Sequence, residues 1–454
     1  MASIDPVALA NWTSGEWKSG VPSEVTAISF DSRKLKLGQL FVALRTAARD
    51  GHDFLNAAKA AGAAGSIVDR YRKEVDLPQL VVADVSKALI DAARGFRSTW
   101  KAQVIGITGS CGKTTCKEVL ACLLSQSETL STEGNLNNLI GVPVSILRPK
   151  GTDAEYAVLE AGISEPGEMQ ALARAIAPNL GIITAIGAAH LEDLGTVENV
   201  AVEKGKLLQG KKLQGAFVGE TVEPYLPQIR CPSAVVVRRD AGLSGDWSFD
   251  FRTEAGKTRF RQRIAGAVHE FGYSGSGAGL ASNVALAVAA AFSLGVPSRD
   301  IANSLRDWKP SAMRNEWREL GETSIFLDCY NANPISMKDS LATFVAETPE
   351  EKPRLFLLGC MEELGTESSI WHEKLGRDFP VRKQDFLLVI GSEAKSVLRG
   401  MKDVGRDTGN CFEIASVGEA KDRLAGFAGS LFLKGSRRYR LESALEYLKG
   451  GVSC

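Results

Sequence analysis

The sequence predicts an α/β fold divided into three domains, and three observations support this prediction. The chain has 454 residues, and because domains of about 150 residues are common, roughly three are expected. Short apolar runs alternate with segments of helical periodicity over most of the chain, as in parallel sheets covered by helices. This pattern changes near residues 98 and 310. We therefore expect domains at residues 1–98, 99–310 and 311–454.

The first domain is predicted to be a small α/β unit that ends near Ser98. From about residue 24, apolar runs such as LFVAL, GSIVD and LVVADV alternate with alanine-rich segments such as AAKAAGAAG. The apolar runs have the length of buried strands, and the alanine-rich segments favour helices.

The second domain begins with a predicted strand, QVIGIT, which is followed by a glycine-rich loop and by an amphipathic helix from about Lys113. Further strands at YAVLEAG and LGIITAIG indicate a mostly parallel sheet of the P-loop ATPase kind. Between about residues 213 and 275 four β-rich pieces, AFVG, SAVVVRR, WSFDFR and RFRQRI, follow one another without an evident helix. We interpret them as an antiparallel addition, closed by an alanine-rich helix at residues 281–294.

The third domain is predicted to be a complete Rossmann-like unit. Its five apolar runs, SIFLDCY, RLFLLGC, DFLLVIG, CFEIA and SLFLKG, alternate with helices that begin near Pro334, Ser368, Ala394, Val417 and Arg438. No GxGxxG pattern follows its first strand. The stretch SGSGAG at residues 274–279 does not follow a convincing buried strand. We therefore interpret it as a flexible connector and not as a dinucleotide site.

Composition and charge weigh against several classes of partner. Lysine plus arginine and aspartate plus glutamate number 54 each, so net charge would not hold the chain on nucleic acid or on an anionic membrane. No stretch approaches the roughly 18 uninterrupted apolar residues of a membrane span. The first residues, MASIDPVALANW, lack a basic segment before a long apolar run, and the eight cysteines form no CxxC pair. We expect a reduced, cytoplasmic protein.

The stretch TGSCGKTT at residues 108–115 has the character of a phosphate-binding loop. The strict pattern GxxxxGK[ST] would require glycine in place of Ile107. The physical requirements are nevertheless met by a buried strand, a glycine-rich turn and a helix that starts at Lys113. A turn that binds nothing is the weaker alternative. The residues expected to contact ATP or GTP here are Gly109, Ser110, Cys111, Gly112, Lys113, Thr114 and Thr115.

Groups that bind cations are expected around this loop. Lys113 should meet the terminal phosphates, and the hydroxyl of Thr114 or Thr115 should hold Mg2+. The strand YAVLEAG brings the chain to Glu160, and the segment LGIITAIGAA leads to His190. Because the carboxyl ends of parallel strands face one crevice, both side chains should converge beside Lys113 as Mg2+ ligands. Taken singly, a solvent-exposed acid and a packed loop histidine are the simpler interpretations.

Cys111 leaves two interpretations open. Only backbone groups need to face phosphate at its position, so its side chain can point away from the ligand. A thiol at a helix N-terminus near Lys113 could instead have a lowered pKa and react with alkylating reagents, from which MgATP would protect it.

Seven segments together resemble the Mur ligase family, in the order in which that family has them. They are TGSCGKTT, EGNLNNLIGVP (133–143), LEAGISEPGEM (159–169), AAHLEDLGTVENVAVEKGK (188–206), SAMRNEWREL (311–320), LDCYNANPISM (327–337) and LFLKGSR (431–437). The resemblance runs through all three domains. YNANP and LFLKGSR are similar to the members that add D-alanyl-D-alanine to UDP-N-acetylmuramoyl-tripeptide.

This resemblance implies an ATP-dependent amide ligase that acts through an acyl phosphate in cytoplasmic peptidoglycan precursor synthesis. The implied cofactors are ATP, two Mg2+ ions and a carbamate formed by CO2 on Lys204. One Mg2+ would be held by Thr114 and Glu160, and the other by His190 and carbamylated Lys204. Carbamate formation requires the neutral amine, so the pocket must lower the pKa of Lys204 or stabilise the product by metal. The implied catalytic residues are Lys113, Glu160, His190 and Lys204.

The resemblance also implies binding residues in each domain. Those for the uridine nucleotide are Asp31, Ser32, Arg33, Asp50, Gly51 and His52. Those for ATP outside the phosphate loop are Asn283, Arg314, Asp328, Tyr330 and Asn331. Those for the peptide or dipeptide are Asn135, Asn137, Asn138, Lys434, Ser436 and Arg437. Because ATP contacts come from two domains, we expect hinge closure before chemistry. We also expect the chain to be a monomer.

Four positions depart from the family pattern. Gly279 and Leu280 stand where a histidine and the first of two asparagines near the adenine are usual, so looser adenine recognition is expected. Lys206 replaces an acid two residues after Lys204, and the GCM of residues 359–361 replaces the usual GDM. None of these departures removes a phosphate or metal residue.

Other functions stay open at this stage. A ligase that adds the third residue, diaminopimelate or lysine, to the dipeptide precursor is the nearest alternative, although the DNPR motif is absent and YNANP replaces the usual AHNP. A folate polyglutamylating ligase fits the first domain less well. From another class, a P-loop regulatory NTPase or an inactive binding module would hydrolyse or hold ATP without a peptide substrate.

Overall fold

Three β-sheets follow one another along the chain in the computed structural model, which describes residues 3–148, 153–254 and 256–449. The strands are β1 (Glu16–Lys18), β2 (Ile28–Ser29), β3 (Leu40–Val42), β4 (Gly65–Val68), β5 (Gln79–Val81), β6 (Gln103–Thr108), β7 (Thr129–Ser131), β8 (Tyr156–Glu160), β9 (Leu180–Ile183), β10 (Gly215–Gly219), β11 (Ala234–Arg239), β12 (Ser248–Glu254), β13 (Lys257–Ile264), β14 (Ala267–Ser274), β15 (Glu316–Leu320), β16 (Thr323–Leu327), β17 (Arg354–Gly359), β18 (Phe386–Ile390), β19 (Cys411–Ile414) and β20 (Ser430–Lys434).

Helices cover these sheets. They are α1 (Pro6–Thr13), α2 (Leu55–Ala60), α3 (Val85–Arg97), α4 (Lys113–Leu123), α5 (Gly141–Ile146), α6 (Glu168–Ile176), α7 (Leu191–Leu194), α8 (Val197–Gly205), α9 (Leu226–Ile229), α10 (Ala278–Ser293), α11 (Ser298–Asp307), α12 (Pro334–Glu347), α13 (Ser368–Asp378), α14 (Ala394–Asp403), α15 (Lys421–Leu424) and α16 (Leu445–Lys449). The three-unit α/β fold is confirmed. The boundaries at 98/99 and 310/311 stay predictions, and the outer ends of the first and third domains lie outside the described residues.

The N-terminal sheet has the order β1-β5-β4-β3-β2, in which β2 to β5 are parallel and β1 is antiparallel to β5. The helix α3 is capped by Asp84, whose side chain accepts the N–H of Lys87. It buries one face and ends at Arg97, whose Nε donates to the carbonyl of Ile176 at 3.0 Å. Because Ile176 ends α6, this bond attaches the first domain to the second.

The central sheet has the order β14-β13-β12-β11-β10-β9-β6-β8-β7. Within it, strand β6 lies between β9 and β8 and is parallel to both. The loops after β6, β8 and β9 therefore leave the same edge of the sheet, where ligands bind in open α/β folds. The apolar helix α10 is buried against α4, as its nearly continuous hydrophobic sequence requires.

The antiparallel addition is smaller than the sequence predicts. AFVG forms β10 and SAVVVRR forms β11, and both extend the parallel sheet. The crossover between them contains only a 3-10 helix, Glu220–Tyr225, and the short α9, which are too short to show a helical period. The antiparallel part consists of β12, β13 and β14.

The C-terminal sheet has the order β15-β16-β20-β17-β18-β19. The five strands expected there are present and parallel, and the edge strand β15, which the sequence analysis missed, is antiparallel to β16. The helices expected near Val417 and Arg438 begin as 3-10 turns before α15 and α16.

The stretch SGSGAG joins β14 to α10, and it is held more firmly than the expected flexible connector. Ser276 is buried, and its carbonyl accepts Nδ2 of Asn315 from the C-terminal domain at 2.7 Å. In the described parts of the chain, no helix has the length and apolar character needed to cross a membrane.

Candidate active site between the central and C-terminal domains

The phosphate loop connects the end of β6 to the start of α4. Gly109 has a φ of 152°, and a Cβ there would lie 2.0 Å from Oγ1 of Thr184. Gly112 has a φ of 80°, and a Cβ there would lie 2.3 Å from Oδ1 of Asn283. Both positions therefore require glycine, because a side chain would meet both strain and a clash. The packing of this loop therefore explains why its glycines stand at positions 109 and 112 and not at the spacing of the strict GxxxxGK[ST] pattern.

Lys113 begins α4 with its ammonium folded back on the loop. Its Nζ donates to the carbonyl of Gly109 at 2.9 Å. Burial lowers the pKa of Lys113, and the nearby Glu160 opposes this effect. The cationic group is thus held at the mouth of the loop, where terminal phosphates would lie.

Glu160, at the end of β8, is fully buried beside the loop. Its Oε1 accepts Oγ1 of Thr114 at 3.1 Å and Nδ2 of Asn137 at 2.7 Å. Its Oε2 lies 3.6 Å from Nζ of Lys117, which also donates to the carbonyls of Thr132 and Gly134. Of the two threonines proposed as metal ligands, Thr114 is the one in contact with this carboxylate. The convergence of Glu160 with the phosphate loop is as the sequence predicts.

A cavity of about 220 Å³ opens between these groups and the C-terminal domain. Every residue proposed for ATP except Gly109 lines it, namely Ser110, Cys111, Gly112, Lys113, Thr114, Thr115, Asn283, Arg314, Asp328, Tyr330 and Asn331. Two domains therefore contribute to one cavity, and the contacts of these residues with ATP stay a prediction.

The C-terminal wall of the cavity is organised around Asp328. Its Oδ2 accepts Oγ of Ser340 at 2.5 Å and Nζ of Lys434 at 2.6 Å. Its Oδ1 accepts the backbone N–H of Asn315 at 3.2 Å. Beside it, the guanidinium of Arg314 lies 4.0 Å from the ring centre of Tyr330, a cation–π contact.

Lys204 lies on α8 and is completely buried. Among the described residues, none forms a hydrogen bond with its Nζ. Desolvation, and next the charge of Lys113, lower its pKa far below the ordinary value. The preceding Glu203 holds α8 in place, since its Oε1 accepts the N–H groups of Gly167 and Met169 at 2.9 and 3.2 Å. Lys206, one of the departures from the family pattern, forms an ion pair with Glu203.

Comparison with known proteins accounts for this combination of elements. Three family models match in succession: "Mur ligase family, catalytic domain" over residues 24–97, "Mur ligase middle domain" over 107–291 and "Mur ligase, glutamate ligase domain" over 313–437. A UDP-N-acetylmuramoyl-tripeptide–D-alanyl-D-alanine ligase of Escherichia coli is 31% identical over 462 residues, and the match covers 100% of both chains. The chain belongs to the Mur ligase family.

Other Mur ligases show similar agreement. The ligase of the same name from Bacillus subtilis is 31% identical over 437 residues, which is 93% of each chain. A crystal structure of MurF from Acinetobacter baumannii matches with a TM-score of 0.87 and 28% identity over 99% of both chains. A MurF ligase from Thermotoga maritima, solved in complex with ADP, matches with a TM-score of 0.79 and 26% identity over 94% of this chain and 98% of that one.

His190 of this Mur ligase has a partner that the sequence analysis did not identify. It adopts a φ of 55° before α7, and its Nδ1 lies 2.5 Å from Oε2 of Glu363 in the C-terminal domain. The hydrogen bond with His190 lowers the pKa of Glu363. His190 and Lys204 do not line the cavity that contains Lys113, so their convergence on the phosphates stays a prediction.

The residues proposed for the peptide or dipeptide separate into two groups. Asn137 and Lys434 line the cavity, where Asn137 contacts Glu160 and Lys434 supports Asp328. The others lie outside its lining. The side chain of Asn138 accepts the N–H groups of Ile140 and Gly141 just before and at the start of α5. Arg437 pairs with Glu442 at 2.5 Å, and the N–H of Ser436 donates to the carbonyl of Cys360. The carbonyl of Asn135 accepts the N–H of Asn137.

The residues proposed for the uridine nucleotide follow two adjacent parallel strands, β2 and β3. After β2, Arg33 pairs with Asp31 at 2.9 Å and lowers the pKa of Asp31 to about 2, while Ser32 lies between them in the turn. After β3, Asp50 and Gly51 lead to the buried His52, whose Nδ1 lies 2.7 Å from Asp50. Both segments thus lie at one edge of the sheet.

The structure decides between the two interpretations of Cys111. Burial raises the pKa of its thiol to about 11, although Lys113 acts in the opposite direction. The suggestion of a lowered pKa is therefore wrong, because desolvation of the thiolate outweighs the nearby cation.

Sequence reasoning also missed several residues at this site. Lys117 and Asn315 lie close to motifs that were recognised, but their partners are distant in the sequence. Asn333, Asp339 and Glu363 come from the C-terminal domain and contact the central one. The N-cap position of Asn333 before Pro334 was the only local signal among them.

Proposed function

We propose that this Mur ligase uses ATP to join D-alanyl-D-alanine to UDP-N-acetylmuramoyl-tripeptide. The observation that carries the proposal is the single cavity in which the phosphate loop and Glu160 meet Arg314 and Asp328 of the C-terminal domain. Similarity over the whole chain to ligases of that name supports the choice of substrates. We further propose a cytoplasmic location and a monomeric state.

The reaction has two steps in this proposal. First, the bond between the γ-phosphorus and the bridging oxygen of ATP breaks, a bond forms from that phosphorus to the tripeptide carboxylate, and ADP leaves. Second, the dipeptide amine attacks the acyl carbon, loses a proton and displaces inorganic phosphate. The first step brings together two anions, which repel by about 4 kcal/mol at 4 Å and an effective dielectric near 20. Lys113 and Arg314, on opposite walls of the cavity, reduce this repulsion.

The residues present fit the two proposed Mg2+ ions and the carbamate. Thr114 and Glu160 offer a hydroxyl and a carboxylate 3.1 Å apart, and such oxygen ligands suit Mg2+. The buried amine of Lys204 has no hydrogen-bond partner among the described residues, and desolvation lowers its pKa, which favours the neutral form that reacts with CO2. The resulting anion would join His190 in holding a second Mg2+. Bound Mg2+ would stabilise charge on the transferring phosphoryl group.

The direct test measures phosphate release from ATP with UDP-N-acetylmuramoyl-tripeptide, in the presence and absence of D-alanyl-D-alanine. We expect release only with both substrates, together with a product heavier by the dipeptide. Lys113→Met should abolish release, whereas Lys211→Met, at an exposed turn, should retain it. Release that is indifferent to the dipeptide contradicts the proposal. Release only with the dipeptide precursor and diaminopimelate or lysine would assign the chain to the preceding step.

A further inference from the structure

The start of α12 and the residue before it contact the central domain at two places beside the site. Nδ2 of Asn333, the residue before the helix, donates to the carbonyl of Ser110 at 3.0 Å. At Gly187, an added Cβ would lie 2.2 Å from Cδ1 of Ile335, so the two domains are in close contact there. One short segment of the C-terminal domain therefore touches both the phosphate loop and the chain after β9.

Asn333 is 8% exposed, and both of its polar side-chain atoms are used. Its Oδ1 accepts the N–H of Ser336 at 2.9 Å and caps α12, while its Nδ2 faces Ser110. The two partners require different atoms of the amide. The N–H of Ser336 needs an acceptor, and the carbonyl of Ser110 needs a donor. The side chain thus links the start of a helix in one domain to the backbone of the phosphate loop in the other.

The bond to Ser110 has a consequence for the next residue. A trans peptide is planar, and its C=O and N–H point in opposite directions. Holding the carbonyl of Ser110 therefore also sets the direction of the N–H of Cys111. Cys111 is one of the residues that line the cavity. Phosphate loops bind through such backbone N–H groups.

A second contact holds the start of α10, the helix that packs on the loop. Oδ1 of Asp339 accepts the N–H of Gly279 at 2.9 Å at the start of α10, the helix whose Asn283 packs on Gly112. A Cβ at Gly279 would lie 2.4 Å from Oδ2 of Asp339. The departure from the family pattern at Gly279 thus leaves room for this carboxylate, whose pKa burial raises.

We propose that Asn333 is a positioning residue through which the C-terminal domain sets the conformation of the phosphate loop, with Asp339 as a supporting contact. The inference rests on the proposed function only in taking adenine nucleotides as ligands. It explains how the arrangement of two domains controls nucleotide affinity at a loop that belongs to one of them.

The test compares Asn333→Asp with Asn333→Ser in the 454-residue chain. Aspartate and serine both remain good helix caps, but neither has an amide donor for Ser110. Aspartate adds a charge and serine does not, so loss of the donor is separated from charge repulsion. The matched control is Asn410→Asp, which removes an amide donated to the carbonyl of Lys383 within the C-terminal domain.

We expect both Asn333 variants to fold, with an unliganded Tm at or slightly below the wild-type value because one buried hydrogen bond is lost, and to show a smaller rise in Tm when MgADP is added. The apparent affinity for MgADP should fall about tenfold. The KM for ATP should rise by a similar factor with a smaller change in kcat, since a preorganised loop contributes to ground-state binding. Asn410→Asp should match the wild type in all three measurements.

A wild-type response of Asn333→Ser to MgADP would overturn the inference, even if Asn333→Asp binds weakly. A fall in unliganded Tm without a change in MgADP affinity would also overturn it, because the residue would then be only a cap. MgADP binding needs no peptide substrate, so a failure of the proposed ligase reaction would leave this measurement interpretable.

Discussion

Two buried lysines in different domains have opposite surroundings. Lys434, at the end of β20, is 1% exposed, and its Nζ donates to Oδ2 of Asp328, to the carbonyl of Asp328 and to that of Asn331. Lys204, on α8, is 0% exposed, and its Nζ bonds to none of the described residues. The first ammonium has three acceptors for its three protons, and the second amine has none within the part of the chain that the structure describes.

This difference distinguishes a structural charge from a functional one. A buried ammonium whose donors are all satisfied holds its acceptors in place, and here it fixes Asp328 at the wall of the cavity. A buried amine without a partner costs stability and is retained where chemistry requires it. We therefore interpret Lys434 as a structural support of Asp328 in the C-terminal wall of the cavity, and Lys204 as the site of the proposed carbamate. The earlier expectation that Lys434 faces the peptide or dipeptide stays a prediction, with no proton of the ammonium left over for that contact.

The largest effect is expected for Lys204→Met. Ligase activity should fall by roughly three orders of magnitude or more, as for loss of a central electrostatic group, and added bicarbonate should not restore it. In buffer free of metal and bicarbonate, the free energy of unfolding should rise by about 1 kcal/mol, because an unbonded amine is removed. Lys211→Met serves as the surface control. Substantial activity in Lys204→Met would remove the basis for the carbamate.

The reverse change in stability is expected for Lys434→Met. Removing this ammonium leaves the buried side of Asp328 without its partner, so the free energy of unfolding should fall by about 3 kcal/mol. Denaturant titration of this variant beside Lys204→Met measures both changes on one scale. If the two variants shift stability in the same direction, the distinction between the two lysines is wrong.

The pH dependence of stability should report the burial of the Lys204 amine. Because the pKa of Lys204 is lowered from its ordinary 10.5, the unfolded chain binds more protons than the folded chain between the two values. The free energy of unfolding of the wild type minus that of Lys204→Met should therefore rise with pH between the folded and unfolded pKa values of Lys204. The expected slope is up to about 1.4 kcal/mol per pH unit. Denaturation of both proteins at several pH values, without bicarbonate, gives the difference. A flat difference means that the amine is not desolvated.

The smallest effect is expected at Cys111, a partly buried thiol in the lining of the cavity. Its pKa of about 11 keeps it as a thiol near neutral pH, so treatment with iodoacetamide should leave turnover unchanged, with or without MgATP. Mass spectrometry of the Cys111 peptide provides the check. Rapid alkylation with MgATP-protected loss of activity would show that the loop exposes a thiolate.

Local signals in the sequence were sufficient for much of the site. The phosphate loop and Glu160 were predicted because a glycine-rich turn and a strand-end acid are local features, and parallel topology brings them together. Strand β15 was missed because EWREL is a partly exposed edge strand without clean alternation. The parallel pairing of β10 and β11 was missed because their crossover contains only short helical segments.

The sequence by itself determined the three-part α/β organisation, the family resemblance and the identity of the phosphate loop, since each depends on residues that are neighbours along the chain. Only the tertiary structure showed that Glu363 faces His190, that Asn333 bonds to Ser110 and that Lys204 is buried with no hydrogen-bond partner at residues 3–148, 153–254 and 256–449. These facts depend on contacts between segments up to 223 residues apart. Burial and hydrogen-bond satisfaction are set by such packing, and no periodicity or motif within one segment encodes them.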